Sequence, residues 1–369
     1  NSRPRRFGKS YAANMLAAYY SKGADSEKMF SGLKISRESD FKKHLNKYDV
    51  IHIDIQWFLA NCDNTDKVVL FITESVLEEL RELYPEVVPK EVAKLSDALS
   101  RVKERTGQKF VIIIDEWDCI FREYKNNIDE QRKYLDFLRD LLKDKSYIHL
   151  AYMTGILPIK KYGTHSALNM FSEFSMTNPR QLTSYVGFTE DEVNELSERY
   201  NISLSDLKEW YDGYHFGDYD IYCPWDVMNY LFELQHNPKT KPVSYWKNTS
   251  DNAIIRSFID YAGSTITQKL EVLMAGGYII QRIDENLTYD YLHSSEDNLW
   301  SMLYLTGYLT KLRENDYEGE LLEGTMALII PTAEIKELFE TTVIKWFDDS
   351  AKKWNRNALF DAVWNGDSE

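Results

Sequence analysis

The sequence predicts an α/β protein, with a parallel sheet covered by helices up to about residue 180 and a mostly helical region after it. Three observations predict it. Strand-like apolar runs at 49–55, 110–115 and 148–155 alternate with segments of helical spacing. Beyond residue 180 helical segments dominate and the strands become short. The chain has 369 residues, more than one core usually supports, so two or three domains are expected. The change of texture divides it into 1–180 and 181–369. A small β-hairpin is expected in the second part, with a winged-helix-like arrangement as one reading.

DVIHIDI at 49–55 alternates apolar and polar residues, the period of a strand. Val69, Ile72, Val76, Leu77, Leu80 and Leu83 recur at helical spacing within 65–84. A second helix over 91–105 stops at Gly107. FVIIID at 110–115 is continuously apolar and rich in β-branched residues, which fits a strand buried on both faces. A helix over 129–144, a buried strand at 148–155 and a short fifth candidate strand at 172–176 complete this region. Its first strand would lie just before residue 1, with Asn1-Ser2 as its tail. The chain lacks an initiator Met and begins inside a motif, so it reads as a fragment.

In the second region helices are expected over 189–200, 203–212, 224–234, 250–262, 265–275, 295–307 and 332–348. Short strands are expected near 278–283, 308–313 and 321–330. Thr189 stands three residues before Glu192, a capping-box pattern. HNPKTKP at 236–242 has two prolines and no periodicity and reads as a loop.

Bulk composition limits the function classes. A net charge of −15 argues against coating nucleic acid by general electrostatics, although a local basic groove remains compatible with it. Three widely spaced cysteines give neither a disulfide framework nor metal-ligand spacing, and suit a reducing, cytoplasmic compartment. No apolar run reaches the roughly 18 residues of a membrane span, and no signal-peptide pattern opens the chain. The 25 tyrosines and 9 tryptophans read mainly as half-buried packing.

Two motifs carry chemistry. Gly8-Lys9-Ser10 runs into the helical segment YAANMLAAYY, and a helix N-terminus offers unpaired N–H groups and a positive dipole end to phosphate. In a phosphate loop the Lys reaches the terminal phosphates and the Ser hydroxyl coordinates Mg²⁺. Alone the tripeptide also fits a basic surface turn, because Arg3 stands where such a loop opens with glycine. FVIIIDE at 110–116 is the second motif, an apolar strand ending in Asp115 and Glu116. Asp115 can hold Mg²⁺ and Glu116 can polarise an attacking water. Strands also end in acidic residues simply because they enter solvent, but together the two motifs suit a P-loop NTPase core. AYMTGILP at 151–158 adds Thr154 at a strand end, either a sensor of the terminal phosphate or a simple strand cap.

The strings RPRRFGKS, FVIIIDEWDCIF, AYMTGILPIKKYGTHSALNMFSEFSM, EWYDGYHFG, CPWDVMNYL, YWKNTSDN and LWSMLYLTGYL resemble the bacterial AAA-ATPase-like family, over essentially the whole chain. The resemblance implies that Arg3 is the family's usual residue in place of the opening glycine. It gives Lys9 and Ser10 the Walker A roles, with Arg6, Phe7, Gly8 and Tyr11 around the nucleotide. Asp115 and Glu116 take the Walker B roles. ATP and Mg²⁺ are the implied ligands, and no motif that reads the base is recognisable. Such chains usually continue into a PD-(D/E)XK nuclease-like domain, absent from this sequence, which the ATPase would regulate as a switch or motor. Mobile-element, defence or DNA-processing roles go with the resemblance. The alternative is an inactive P-loop scaffold whose helical region binds DNA or a protein.

Weaker signals have competing readings. Arg3, Arg5 and Arg6 could contact phosphate or a neighbouring subunit, or form a solvated basic turn. Arg180 reads as a surface residue before it reads as an arginine finger. His215 lies in the aromatic run Trp210 to Gly217, which reads as packing before it reads as a base-stacking recognition loop. Cys119 reads as structural. No Cys/His set supports a transition-metal site.

Overall fold

The structure is a computed structural model that describes residues 1–62, 67–124, 127–157, 168, 170–217, 219–246, 264–284, 287, 295–317 and 319–353. The chain divides into two compact units, the first built on Asn1–Leu182 and the second beginning at Thr183.

The first unit holds α1 (Lys9–Tyr20), β1 (Asp49–Asp54), α2 (Val68–Leu83), α3 (Leu95–Thr106), β2 (Phe110–Asp115), α4 (Ile128–Leu142) and β3 (Ile148–Met153). The strands form a parallel sheet in the order β1-β2-β3. β2 is buried at all six positions, as its unbroken apolar run requires. β1 buries Ile51 and Ile53 and exposes His52 and Asp54, so its alternation is that of a strand with one face covered. Ala13 of α1 packs on Val111 and Ile113 of β2.

Beyond β3 the sheet is continued by the chain start. Ser2 bridges Gly155 in parallel, Gly155 N–H donates to Asn1 O at 3.2 Å, and Arg3 N–H donates to Gly155 O at 3.2 Å. On the other side Ser2 N–H donates to Phe174 O at 2.8 Å. The lateral order is therefore β1, β2, β3, residues 1–3 and then the segment around Phe174. The fifth strand expected at 172–176 is not formed as a ladder; that segment contributes a single backbone bond to Ser2. A cavity of about 580 Å³ opens beside β3, lined by Tyr152, Met153, Phe171 and Phe174 among others.

The second unit contains two antiparallel sheets, more strand than its sequence announces. β4 (Phe188–Thr189), β5 (Tyr214–Phe216) and β6 (Tyr219–Tyr222) pair in the order β4-β6-β5. β7 (Ile279–Arg282), β8 (Thr310–Lys311) and β9 (Thr325–Ile329) form at the three short strands expected there and pair as a sheet in the order β7-β9-β8 instead of a simple hairpin. Around them lie α5 (Glu190–Tyr200), α6 (Leu204–Tyr211), α7 (Pro224–His236), α8 (Ser264–Met274), α9 (Glu296–Leu305) and α10 (Ala333–Lys353). The capping box is present: Thr189 Oγ1 accepts from Glu192 N–H, and Thr189 N–H donates to Glu192 Oε2 at 3.0 Å. The helix expected over 250–262 lies outside the described residues.

The aromatic run at 210–217 passes from the end of α6 at Trp210 and Tyr211 into β5 at Tyr214–Phe216, and its rings are largely packed. Tyr211, Tyr214 and Phe216 are buried, and Tyr214 Oη donates to Gly307 O at 2.9 Å. Gly213 is obligatory there, since its φ is 140° and a Cβ would lie 1.7 Å from Pro331 O.

Because β2 is sealed on both faces, Ile113→Ala should cost the first unit about 2–5 kcal/mol, whereas exposed Leu70→Ala should cost less than about 0.5 kcal/mol. Urea unfolding followed by hydrogen exchange of the β2 amides measures both.

Candidate functional site

The basic segment before α1 forms a tight loop. Arg6 has φ 73° and Gly8 φ 85°, two left-handed residues within three positions. Phe7 between them is fully buried and anchors the loop. Gly8 caps α1 without a side-chain hydrogen bond, so the first-turn N–H groups of Lys9, Ser10 and Tyr11 emerge at the helix end. Ser10 and Tyr11 are exposed. Arg3 takes neither expected role: it is fully buried, and its guanidinium donates to Ser175 O at 3.4 Å and Leu182 O at 3.1 Å. It ties the loop entry to the segment that follows β3.

Lys9 is buried, and its ammonium donates to Pro4 O at 2.9 Å, folded back across its own loop. Burial lowers its pKa, against the opposing pull of Glu116, Asp118 and Asp115. These acids come from the carboxyl end of β2, which therefore meets the loop and the start of α1. Asp115 and Thr154 are likewise buried. Thr154 Oγ1 donates to Asp115 Oδ1, and Glu116 N–H donates to the same oxygen at 3.1 Å. Both bonds end on Oδ1. The Thr154 hydroxyl thus orients Asp115.

Glu116 has φ 51°, a left-handed conformation that a non-glycine residue seldom adopts without a surrounding constraint. Burial pushes its carboxyl upward, but Lys9 and Arg122 prevail and hold it below its ordinary value. Its partner in this structure is Arg122, whose Nη2 donates to Glu116 Oε2 at 3.0 Å. Asp118, fully buried, accepts from the N–H groups of Ile156 and Leu157 at 3.1 and 3.0 Å. Burial raises its pKa despite Arg122. Gly155 is required beside this corner, since a Cβ would lie 2.4 Å from the Trp117 indole nitrogen.

The structure thus brings Lys9, Asp115, Glu116 and Thr154 together, with Arg6, Phe7 and Gly8 forming the adjoining loop. Arg122 and Asp118 were missed as site residues. Arg122 lies in the short helix Cys119–Glu123, one turn beyond the acids, and its only signal was a DExxxxxR spacing with no general meaning. Cys119 is buried and its thiol is pushed up to about 12, which suits packing and not reactivity. Arg180 is exposed, with Nε donating to Asn178 Oδ1 at 3.2 Å. His215 Nδ1 lies 2.7 Å from Asp220 Oδ1 in the second unit. Among the described residues no three His, Cys, Asp or Glu side chains cluster as a metal site, and no helix is long and apolar enough to cross a membrane.

A basic loop opening a helix is thus set against acids at a strand's carboxyl end. Residues 1–164 match the AAA-ATPase_like family, described as predicted AAA-ATPase, so the resemblance read from the motifs is shown over this segment. An Azotobacter chroococcum mcd 1 protein named "Uncharacterized protein in vnfD 5'region" is 22% identical over 326 residues. The match takes in 84% of this chain but 56% of that relative's length.

One outcome is expected for the nucleotide-free protein. Glu116 has a folded pKa below its unfolded value of 4.5, so its charge contributes stability that is full above that value and lost as pH falls through the folded one. Glu116→Gln should therefore flatten the stability profile from about pH 5 downward in acid unfolding curves.

Proposed function

We propose that the first unit is a Mg²⁺-dependent ATPase. The observation that carries this reading is the meeting of Lys9, at the start of a helix capped by a left-handed glycine, with Asp115 and Glu116 at the end of a fully buried parallel strand. The strand order supports it too. Residues 1–3 lie beside β3, so the sheet reverses its sequence order there, and ligands of open α/β sheets bind at such reversals, outside the strands' carboxyl ends.

Each residue then has a role set by its chemistry. The N–H groups of Lys9, Ser10 and Tyr11 and the end of the helix dipole receive phosphate oxygens, as does the backbone of Arg6, Phe7 and Gly8. The Lys9 ammonium, desolvated and hydrogen-bonded to the neutral Pro4 carbonyl, gains more from a phosphate than a solvated lysine would. The donor set fits Mg²⁺, because the Ser10 hydroxyl and the Asp115 carboxylate are hard oxygen ligands. When bound, that ion supplies charge neutralisation of the phosphates. Thr154 holds Asp115 in place for it, and Glu116 is the base that takes a proton from the attacking water.

The chain spans about half the length of the relative it matches, so the whole protein's activity is inferred one step further. The ATPase would act as a switch on an attached effector, a nuclease-like domain in the family pattern. Three free cysteines support a cytoplasmic setting.

Isothermal calorimetry with Mg²⁺ and ATP tests the reading. The parent chain and Glu116→Gln should both bind, Lys9→Met should not, and Glu116→Gln should lower turnover by about a hundredfold or more. Binding that survives Lys9→Met, or turnover that survives Glu116→Gln, would contradict these assignments.

A further inference from the structure

Glu116 is engaged before any substrate is present. Its carboxylate accepts from Arg122 Nη2 at 3.0 Å, with the two side chains only 17% and 8% exposed. A carboxylate so paired is a weaker base than one in water, and it is fixed in direction by the ion pair. The guanidinium has other carboxylates in reach: Asp118 Oδ1 at 3.7 Å and Glu123 Oε1 at 3.5 Å. Asp118 cannot follow Glu116, since the N–H groups of Ile156 and Leu157 hold it beside β3. Arg122 therefore keeps an anionic partner if Glu116 departs. Breaking this ion pair leaves no isolated buried cation, which is the usual obstacle to opening one.

The Glu116 end has equivalent freedom. Its backbone lies in the left-handed region, φ 51°, and its N–H bonds to Asp115 Oδ1 and to Thr154 Oγ1 at 3.3 Å fix the backbone and not the side chain. Lys9, which acts on Glu116 together with Arg122 and Arg5, is tied to Pro4 O and is the group a bound phosphate would draw away. Anion arriving at this corner competes with Glu116 for these cations.

We infer that Arg122 is a positioning residue that latches Glu116 in an inactive ion pair in the nucleotide-free protein and exchanges it for its other carboxylates, or for phosphate, when the site is loaded. The inference rests on the ATPase reading above. It makes basal hydrolysis slow by construction, and it marks the short helix Cys119–Glu123 as the place where a partner could accelerate turnover by displacing Arg122.

The test has two arms. The first needs no nucleotide. Native-state hydrogen exchange of the β2 amides is measured for the parent, Arg122→Gln, Glu116→Gln and the double variant. A coupling of about tenfold in the opening constant is expected, and it should fall toward unity with Mg²⁺ and a non-hydrolysable ATP analogue bound. The second arm is steady-state hydrolysis. Arg122→Gln should raise kcat about fivefold or more with little change in KM, and Arg122→Lys, which restores a point charge, should lie between it and the parent. A kcat that falls toward that of Glu116→Gln, or a coupling unchanged by the analogue, overturns the latch while leaving the ATPase intact. Absence of nucleotide binding in parent and variant alike overturns the ATPase reading, and the latch with it.

Discussion

The burial of the Lys9 ammonium is the constraint on which the rest of the first unit depends. A cation out of water must be compensated, and the compensation comes from Asp115, Glu116 and Asp118 at the end of β2. These acids crowd one another, since burial already raises the Asp118 pKa and Glu116 adds to it. Arg122 relieves that crowding. The local structure follows: a left-handed Arg6 and Gly8 turn the loop toward β2, and a left-handed Glu116 turns the acids toward the loop. Phe7 and Arg3 fix the loop from within, one by apolar burial and the other through two backbone carbonyls.

Such a cluster is poor for stability and good for binding. Burial works against Lys9 in the nucleotide-free fold, and a ligand that brings negative charge removes that penalty. On the proposed reading the site is poised for an anion, and the sealed sheet beneath holds it in that state. β2 is apolar from Phe110 to Ile114, buried throughout and paired on both sides, so the corner can carry strain that a surface loop could not.

Much of this was legible in the sequence, because the relevant signals are local. FVIIID read as a doubly buried strand, Gly-Lys-Ser as a helix entry and Thr189 with Glu192 as a cap, each through contacts within a few residues. What escaped depended on distant partners. Arg3 looked like a basic surface residue, and only the fold shows it donating to carbonyls at 175 and 182. Arg122 carried no pattern at all. SEFSM has strand composition, but its backbone forms no ladder and makes a single strand-like bond, from Ser2 N–H to Phe174 O. The strands around Gly217 were hidden for the opposite reason: in YHFGDYDIY the aromatic residues mask the alternation that β5 shows, with Tyr214 and Phe216 buried on either side of His215.

The central claim, that the loop before α1 receives the phosphates of a nucleotide, is most directly tested by amide hydrogen exchange at residues 5–11. Exchange would be compared for the protein alone and with Mg²⁺ and a non-hydrolysable ATP analogue. The account predicts that the Gly8 to Tyr11 amides slow markedly on loading, because those N–H groups have no partner inside the helix. Unchanged exchange at these amides in the presence of saturating analogue would contradict it.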